Sequence, residues 1–85
     1  MPKSVFSDAY ALVIERLVEL RGAQQVSQVE LARRLGKTQQ WVSLVERKER
    51  RLDVVEFYAF VKALGGDAER EVVALFRAMP DEVRI

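Results

Sequence analysis

Residues 27–46 read SQVELARRLGKTQQWVSLVE, and their punctuation marks two short helices joined by a tight turn. Ser27 with Glu30 three residues later is a capping-box pattern, so a helix is predicted from Gln28. Leu31, Ala32 and Leu35 share one face at helical spacing. Gly36 follows at once, where a left-handed residue closes a helix and only Gly escapes a steric penalty. Thr38 caps a second helix, with Val42 and Val45 directed inward and Gln39, Gln40, Ser43 and Leu44 outward. Two helices joined by about three residues that include a Gly make a helix-turn-helix, here over about 27–48.

Outward from this stretch, Ser7 or Asp8 can cap a first helix running to about Arg21, with residues 1–6 left as a flexible tail. Its apolar face is Tyr10, Val13, Ile14, Leu17, Val18 and Leu20, and Gly22, Gln24 and Gln25 break the pattern. On the other side, RKERRL at 47–52 reads as a loop. Asp53 with Glu56 repeats the cap pattern and opens a fourth helix from Val54 to Leu64, with Val54, Phe57, Val61 and Leu64 on a core face, Phe60 beside it and Tyr58 near its edge. A fifth helix, about 67–79, carries Val72, Leu75, Phe76 and Met79 on one side. Pro80 ends it, because its ring cannot continue the hydrogen-bond ladder, and 81–85 form a short tail. The expectation is a single all-α domain over 7–80.

Nearly half of the 85 residues are hydrophobic, enough for one core. The absence of Cys and His removes disulfides, thiolate chemistry and the common acid–base and zinc roles. No Gly-rich phosphate loop or carboxylate cluster stands in their place, so no catalytic constellation, metal site or cofactor is expected. No apolar run approaches the roughly 20 residues of a membrane span. The opening MPKSVFSDAY lacks the features of a signal peptide, and a cytoplasmic location is the expectation. Net charge is +1 but unevenly divided: −1 over residues 1–20, +5 over 21–51 and −3 over 52–85. The positive segment is the helix-turn-helix with its trailing loop, as expected of a nucleic-acid binder.

Residues 10–65 resemble the helix-turn-helix domain of the Cro/C1-type (XRE) transcriptional regulators. The likeness rests on Leu20-Arg21, Ser27-Gln28, Glu30-Leu31-Ala32, Leu35-Gly36, Val42-Ser43, Glu46, Arg50 and the run from Phe57 to Gly65. It implies a compact five-helix, lambda-repressor-like DNA-binding domain that acts on double-stranded DNA, with no small-molecule ligand evident. Some lambdoid phage repressors share the Thr-Gln-Gln opening of the second motif helix. By that likeness Gln39 and Gln40 read bases, a role that suits an amide able to pair with both N6 and N7 of adenine. Gln28 is expected to contact phosphate and to brace Gln39; Thr38 opens the DNA-facing edge, and Ser43, one turn on, could reach a base or a phosphate. Leu44 could pack on a thymine methyl or be a plain surface residue. Arg47, Lys48, Arg50 and Arg51 suit phosphates. Trp41 is expected to pack rather than to stack on DNA. Arg21 and Glu46 are implied to form a buried ion pair between the first helix and the recognition helix.

The family usually has Gly at the position of Lys48, so a Lys there implies either backbone strain or an extra turn on the recognition helix. The extra turn is the favoured expectation. The apolar stripe Val72, Leu75, Phe76 and Met79, bordered by Tyr58, points to a homodimer that would place two recognition helices on a palindromic operator. A protein-interaction module, such as an antitoxin-like partner built on the same fold, is the alternative reading.

Overall fold

The computed structural model describes residues 8–84. The expected tail 1–6, the Ser7 cap and Ile85 lie outside the described residues. Five α-helices follow one another: α1 (Asp8–Ala23), α2 (Gln28–Leu35), α3 (Gln39–Glu46), α4 (Val54–Ala63) and α5 (Ala68–Ala78). The described residues contain no strand. No described helix is long and apolar enough to cross a membrane.

Four of these helices start on side-chain caps. Ser27, Thr38, Asp53 and Asp67 each accept a hydrogen bond from the backbone N–H three residues on, which satisfies one of the donors a helix start leaves free. The reciprocal box forms fully at Asp53–Glu56 and only halfway at Ser27–Glu30. There the Glu30 carboxylate turns instead to Arg33 at 2.6 Å and Arg34 at 2.9 Å. The two guanidinium groups push its pKa down to about 2, Arg33 contributing most.

The first four helices end in one hydrogen-bond pattern, a left-handed residue flanked by a six-to-one and a five-to-two backbone bond. Gly36 (φ 68°) and Gly65 (φ 77°) occupy that position after α2 and α4. After α1 it is Gln25 (φ 57°), with Val26 N–H bonded to the Arg21 carbonyl at 3.1 Å. The first helix therefore runs past Gly22, two residues beyond its expected end. After α3 the left-handed residue is Lys48 (φ 63°), with Glu49 N–H bonded to the Leu44 carbonyl at 2.9 Å. The favoured extra turn is thus corrected: α3 stops at Glu46 and Lys48 takes the strained conformation. The Schellman closure wins because it satisfies carbonyls that an exposed extra turn would leave to solvent.

The core is one cluster in which Ile14, Leu17, Leu31, Val42, Val45, Phe60, Val61 and Leu64 are fully buried. α2 packs on α3 and α4, and α1 spans α3 and α4 from behind. Val54, expected in the core, is 75% exposed, whereas Phe57, Phe60, Val61 and Leu64 are buried as expected. α5 packs on α4 and is tied to α1 by Arg16, whose guanidinium grips Glu71 at 2.7 and 3.0 Å. Gly66 lets this corner close, because a Cβ there would stand 2.9 Å from Val61 Cγ1. Leu75 is buried and Val72 packs against the core, so this part of the α5 stripe seals the domain's own core. Phe76 is 69% exposed.

Candidate nucleic-acid interface

α3 is held at both ends and along its inner face, which leaves a short polar edge open to solvent. Val42 and Val45 anchor it in the core. Thr38 Oγ1 accepts from Trp41 N–H at 3.1 Å, so this hydroxyl is engaged as a cap. Gln39 and Gln40 follow in the first turn, both exposed. Ser43, one turn on, is half-buried, and so is Leu44, against the expectation that it faces outward.

Behind the glutamines runs a continuous polar network. Arg21 grips the Glu46 carboxylate with Nε to Oε2 at 2.6 Å and Nη2 to Oε1 at 2.8 Å. Its third arm, Nη1, donates to the Val26 carbonyl at 2.9 Å. The pair is mostly shielded from water, with Glu46 at 7% and Arg21 at 19% side-chain exposure. The hydrogen bond to Glu46 raises the Arg21 pKa further above its ordinary value. Gln28 donates from Nε2 to Glu46 Oε1 at 2.9 Å and accepts from Gln39 Nε2 at 2.7 Å. Gln28 and Gln39 thus meet as the resemblance implied. The link from Gln28 to Glu46 has no sequence signal, because nothing in an i, i+18 spacing ties two helices together.

The basic loop after α3 is built differently. Arg50 is directed inward: its guanidinium pairs with Glu56 at 3.1 and 3.2 Å, donates to the Arg51 carbonyl at 2.7 Å and lies 5.0 Å from the Trp41 ring centre. This engagement ties the Arg50 side chain to the start of α4. Glu56 is held below the usual carboxylate range, first by the Asp53 backbone N–H and then by Arg50. The Arg51 guanidinium lies 4.7 Å from the Tyr10 ring centre, and the Tyr10 hydroxyl accepts from Leu52 N–H at 2.9 Å. Arg47 is exposed and pairs with Glu49 at 2.9 Å, a surface contact that a phosphate can displace. Trp41 packs at 5.9 Å against Phe60 and carries Lys37 on its face at 5.1 Å, as a packing residue should.

A helix-turn-helix family model matches residues 17–70, which takes in α2, α3, α4 and the loop between them. The fold also superposes, with a TM-score of 0.81, on an XRE-family like protein from Pseudomonas syringae pv. tomato str. DC3000. The two sequences are 40% identical over 85% of this chain and 88% of that one. The chain belongs to the Cro/C1-type (XRE) helix-turn-helix family. No curated protein matches it. Family and fold make this XRE protein a DNA-binding regulator. Of the residues singled out in its sequence, Thr38, Gln39, Gln40 and Arg47 are exposed, whereas Gln28 and Arg50 are half-buried and hydrogen-bonded within the fold.

Proposed function

We propose that this XRE protein is a sequence-specific regulator, a repressor, that reads a palindromic operator through the major groove as a homodimer. One observation carries the reading: two exposed amides open a helix whose rear is bolted to the core by an ion pair. Base contacts in this docking geometry come from the N-terminal residues of the second motif helix. Gln39 and Gln40 are the base readers, and Gln28, at the start of α2, reaches a phosphate. Ser43 and Leu44 border the groove. Arg47, Lys48 and Arg51 face the backbone, where they add affinity without sequence information.

The dimer contact is assigned to Phe76 and Met79 on α5, bordered by Tyr58. Phe76 and Tyr58 remain exposed in the monomer, and an exposed Phe on so small a domain favours a covered surface. A twofold pair would set its recognition helices about 34 Å apart, one turn of duplex. The same exposed side chains, with Val54 and Val55, favour the second reading, a protein-interaction module.

Selection from random duplex DNA with the purified chain, followed by binding of the enriched site across salt concentrations, separates the two. An enriched inverted repeat bound with a steep negative salt slope supports the regulator. Failure to enrich any site, with weak salt-insensitive binding, overturns it. Sedimentation of the parent and Phe76→Glu tests the dimer, which is overturned by a parent that stays monomeric both free and on DNA.

A further inference from the structure

Glu46 meets Gln28 and Gln28 meets Gln39, and these links have only one consistent polarity. A carboxylate carries no N–H and can only accept. Glu46 Oε1 already accepts from Arg21 Nη2 and takes its second bond from Gln28 Nε2 at 2.9 Å. The Gln28 amide must therefore turn its NH2 towards Glu46 and its oxygen towards Gln39. That oxygen in turn can only accept, so Gln39 must turn its NH2 inward, where it donates at 2.7 Å. What Gln39 keeps for an outside partner is its oxygen and a single N–H.

We propose that Glu46 is a specificity-determining positioning residue: gripped by Arg21, it sets the polarity of Gln28 and, through it, the donor–acceptor pattern that Gln39 shows to a base. The inference rests on the reading of Gln39 as a base contact. It goes beyond the ion pair's role in joining α1 to α3, because the two Arg21–Glu46 bonds suffice for that and the bond to Gln28 adds a direction.

The chemical consequence is a preference between purines. Adenine offers a donor at N6 and an acceptor at N7, which one oxygen and one N–H satisfy. Guanine offers two acceptors, O6 and N7, which call for two N–H groups. A solvated glutamine turns readily about its last torsion, which is broad and roughly twofold, and could present both N–H groups. Held by Gln28, Gln39 has one of them withdrawn. Arg21 completes the device by holding the carboxylate in place through two hydrogen bonds, with its own third arm fixed on the Val26 carbonyl at 2.9 Å.

The test uses the full chain with Glu46→Gln and Gln28→Met. An amide at 46 has both a donor and an acceptor, so it no longer dictates how Gln28 turns. Gln28→Met cuts the relay while leaving Arg21–Glu46 intact. The first readout needs no DNA: in the parent, one side-chain amide proton of Gln39 exchanges slowly, and in both variants that protection disappears. The second uses the site selected by the parent, with adenine changed to guanine at the position whose recognition Gln39→Ala abolishes. Discrimination there should fall roughly tenfold in both variants, with preferences at other positions unchanged. A uniform loss at every position, or unaltered Gln39 protection in Glu46→Gln, overturns the inference. Should Glu46→Gln fail to fold, Gln28→Met decides: retained discrimination against guanine overturns the relay. A parent that selects no site while its Gln39 amide stays protected fails on DNA reading instead, so the two failures are distinct.

Discussion

The two ends of α3 use polar residues in opposite ways. At the N-terminal end the side chains are neutral and exposed, and Gln39 is hydrogen-bonded from behind to the Gln28–Glu46–Arg21 network. At the C-terminal end a run of cations follows, yet Arg50 is folded back on Trp41 and Glu56, and Arg51 lies against Tyr10. By charge alone, the C-terminal end is the stronger candidate for DNA contact. Arg50 among them instead closes the loop, while the uncharged end presents open hydrogen-bonding groups. Formal charge counts what a segment carries, and tertiary contacts decide what it can still offer to a partner.

The sharpest way to break the contrast is Glu46→Ala, which removes the anchor of the N-terminal network. It leaves the Arg21 guanidinium shielded and unpaired, so the expected loss is about 2–4 kcal/mol of folding stability, read by urea or thermal unfolding. A melting point equal to the parent's would mean that the pair holds nothing together.

Next in size are the readers themselves. Gln39→Ala or Gln40→Ala should cost about 1–3 kcal/mol of binding on the selected site and far less on random duplex. Equal losses on both DNAs would make these residues positioners, and the contrast between the ends would vanish.

At the other end, Lys48→Gly relieves a left-handed backbone that costs an L-residue about 1–2 kcal/mol, part of which is returned because Gly is freer in the unfolded chain. A net gain of about 1 kcal/mol in unfolding free energy is expected, whereas Gly36→Ala, at the equivalent position after α2, should lose a similar amount. The opposite signs follow from one backbone geometry (φ 63° and 68°) filled by two residue types. A destabilised Lys48→Gly would show that the lysine side chain holds the loop in place.

Smaller still is the effect on salt dependence. Arg47→Ala should flatten the slope of log affinity against log salt by roughly one unit, the change expected when one fewer phosphate is neutralised. Arg50→Ala should leave the slope nearly unchanged and lower stability instead. A flattened slope in Arg50→Ala would return that residue to the interface.

The least change comes with acid. Glu56 has its pKa lowered in the folded state, so its stabilisation of the loop is fully present above the unfolded-chain value and drains away as pH falls through the lowered folded value. Trp41 emission, which reports the Arg50 stack, should hold steady through the ordinary glutamate range and change only below it. Glu56→Gln should remove that step.

The helix order, four starts and two of the ends are legible in the chain because their causes are local. Ser27, Thr38, Asp53 and Asp67 cap from within three residues, Gly36 and Gly65 close α2 and α4 without a Cβ, and 3.6-residue spacing separates buried from exposed faces. Where no glycine marks the place, a reading of the chain misplaces the ends of α1 and α3, since Gln25 and Lys48 enter the left-handed region only because the packed helix ends select it. The direction of several other side chains is decided by tertiary structure. Val54 points to solvent, Leu75 into the core, Arg50 onto Trp41, and Gln28 onto Glu46. Each outcome depends on partners far along the chain or across a helix crossing, and hydrogen bonds and cation–π contacts carry no periodicity that a sequence could display.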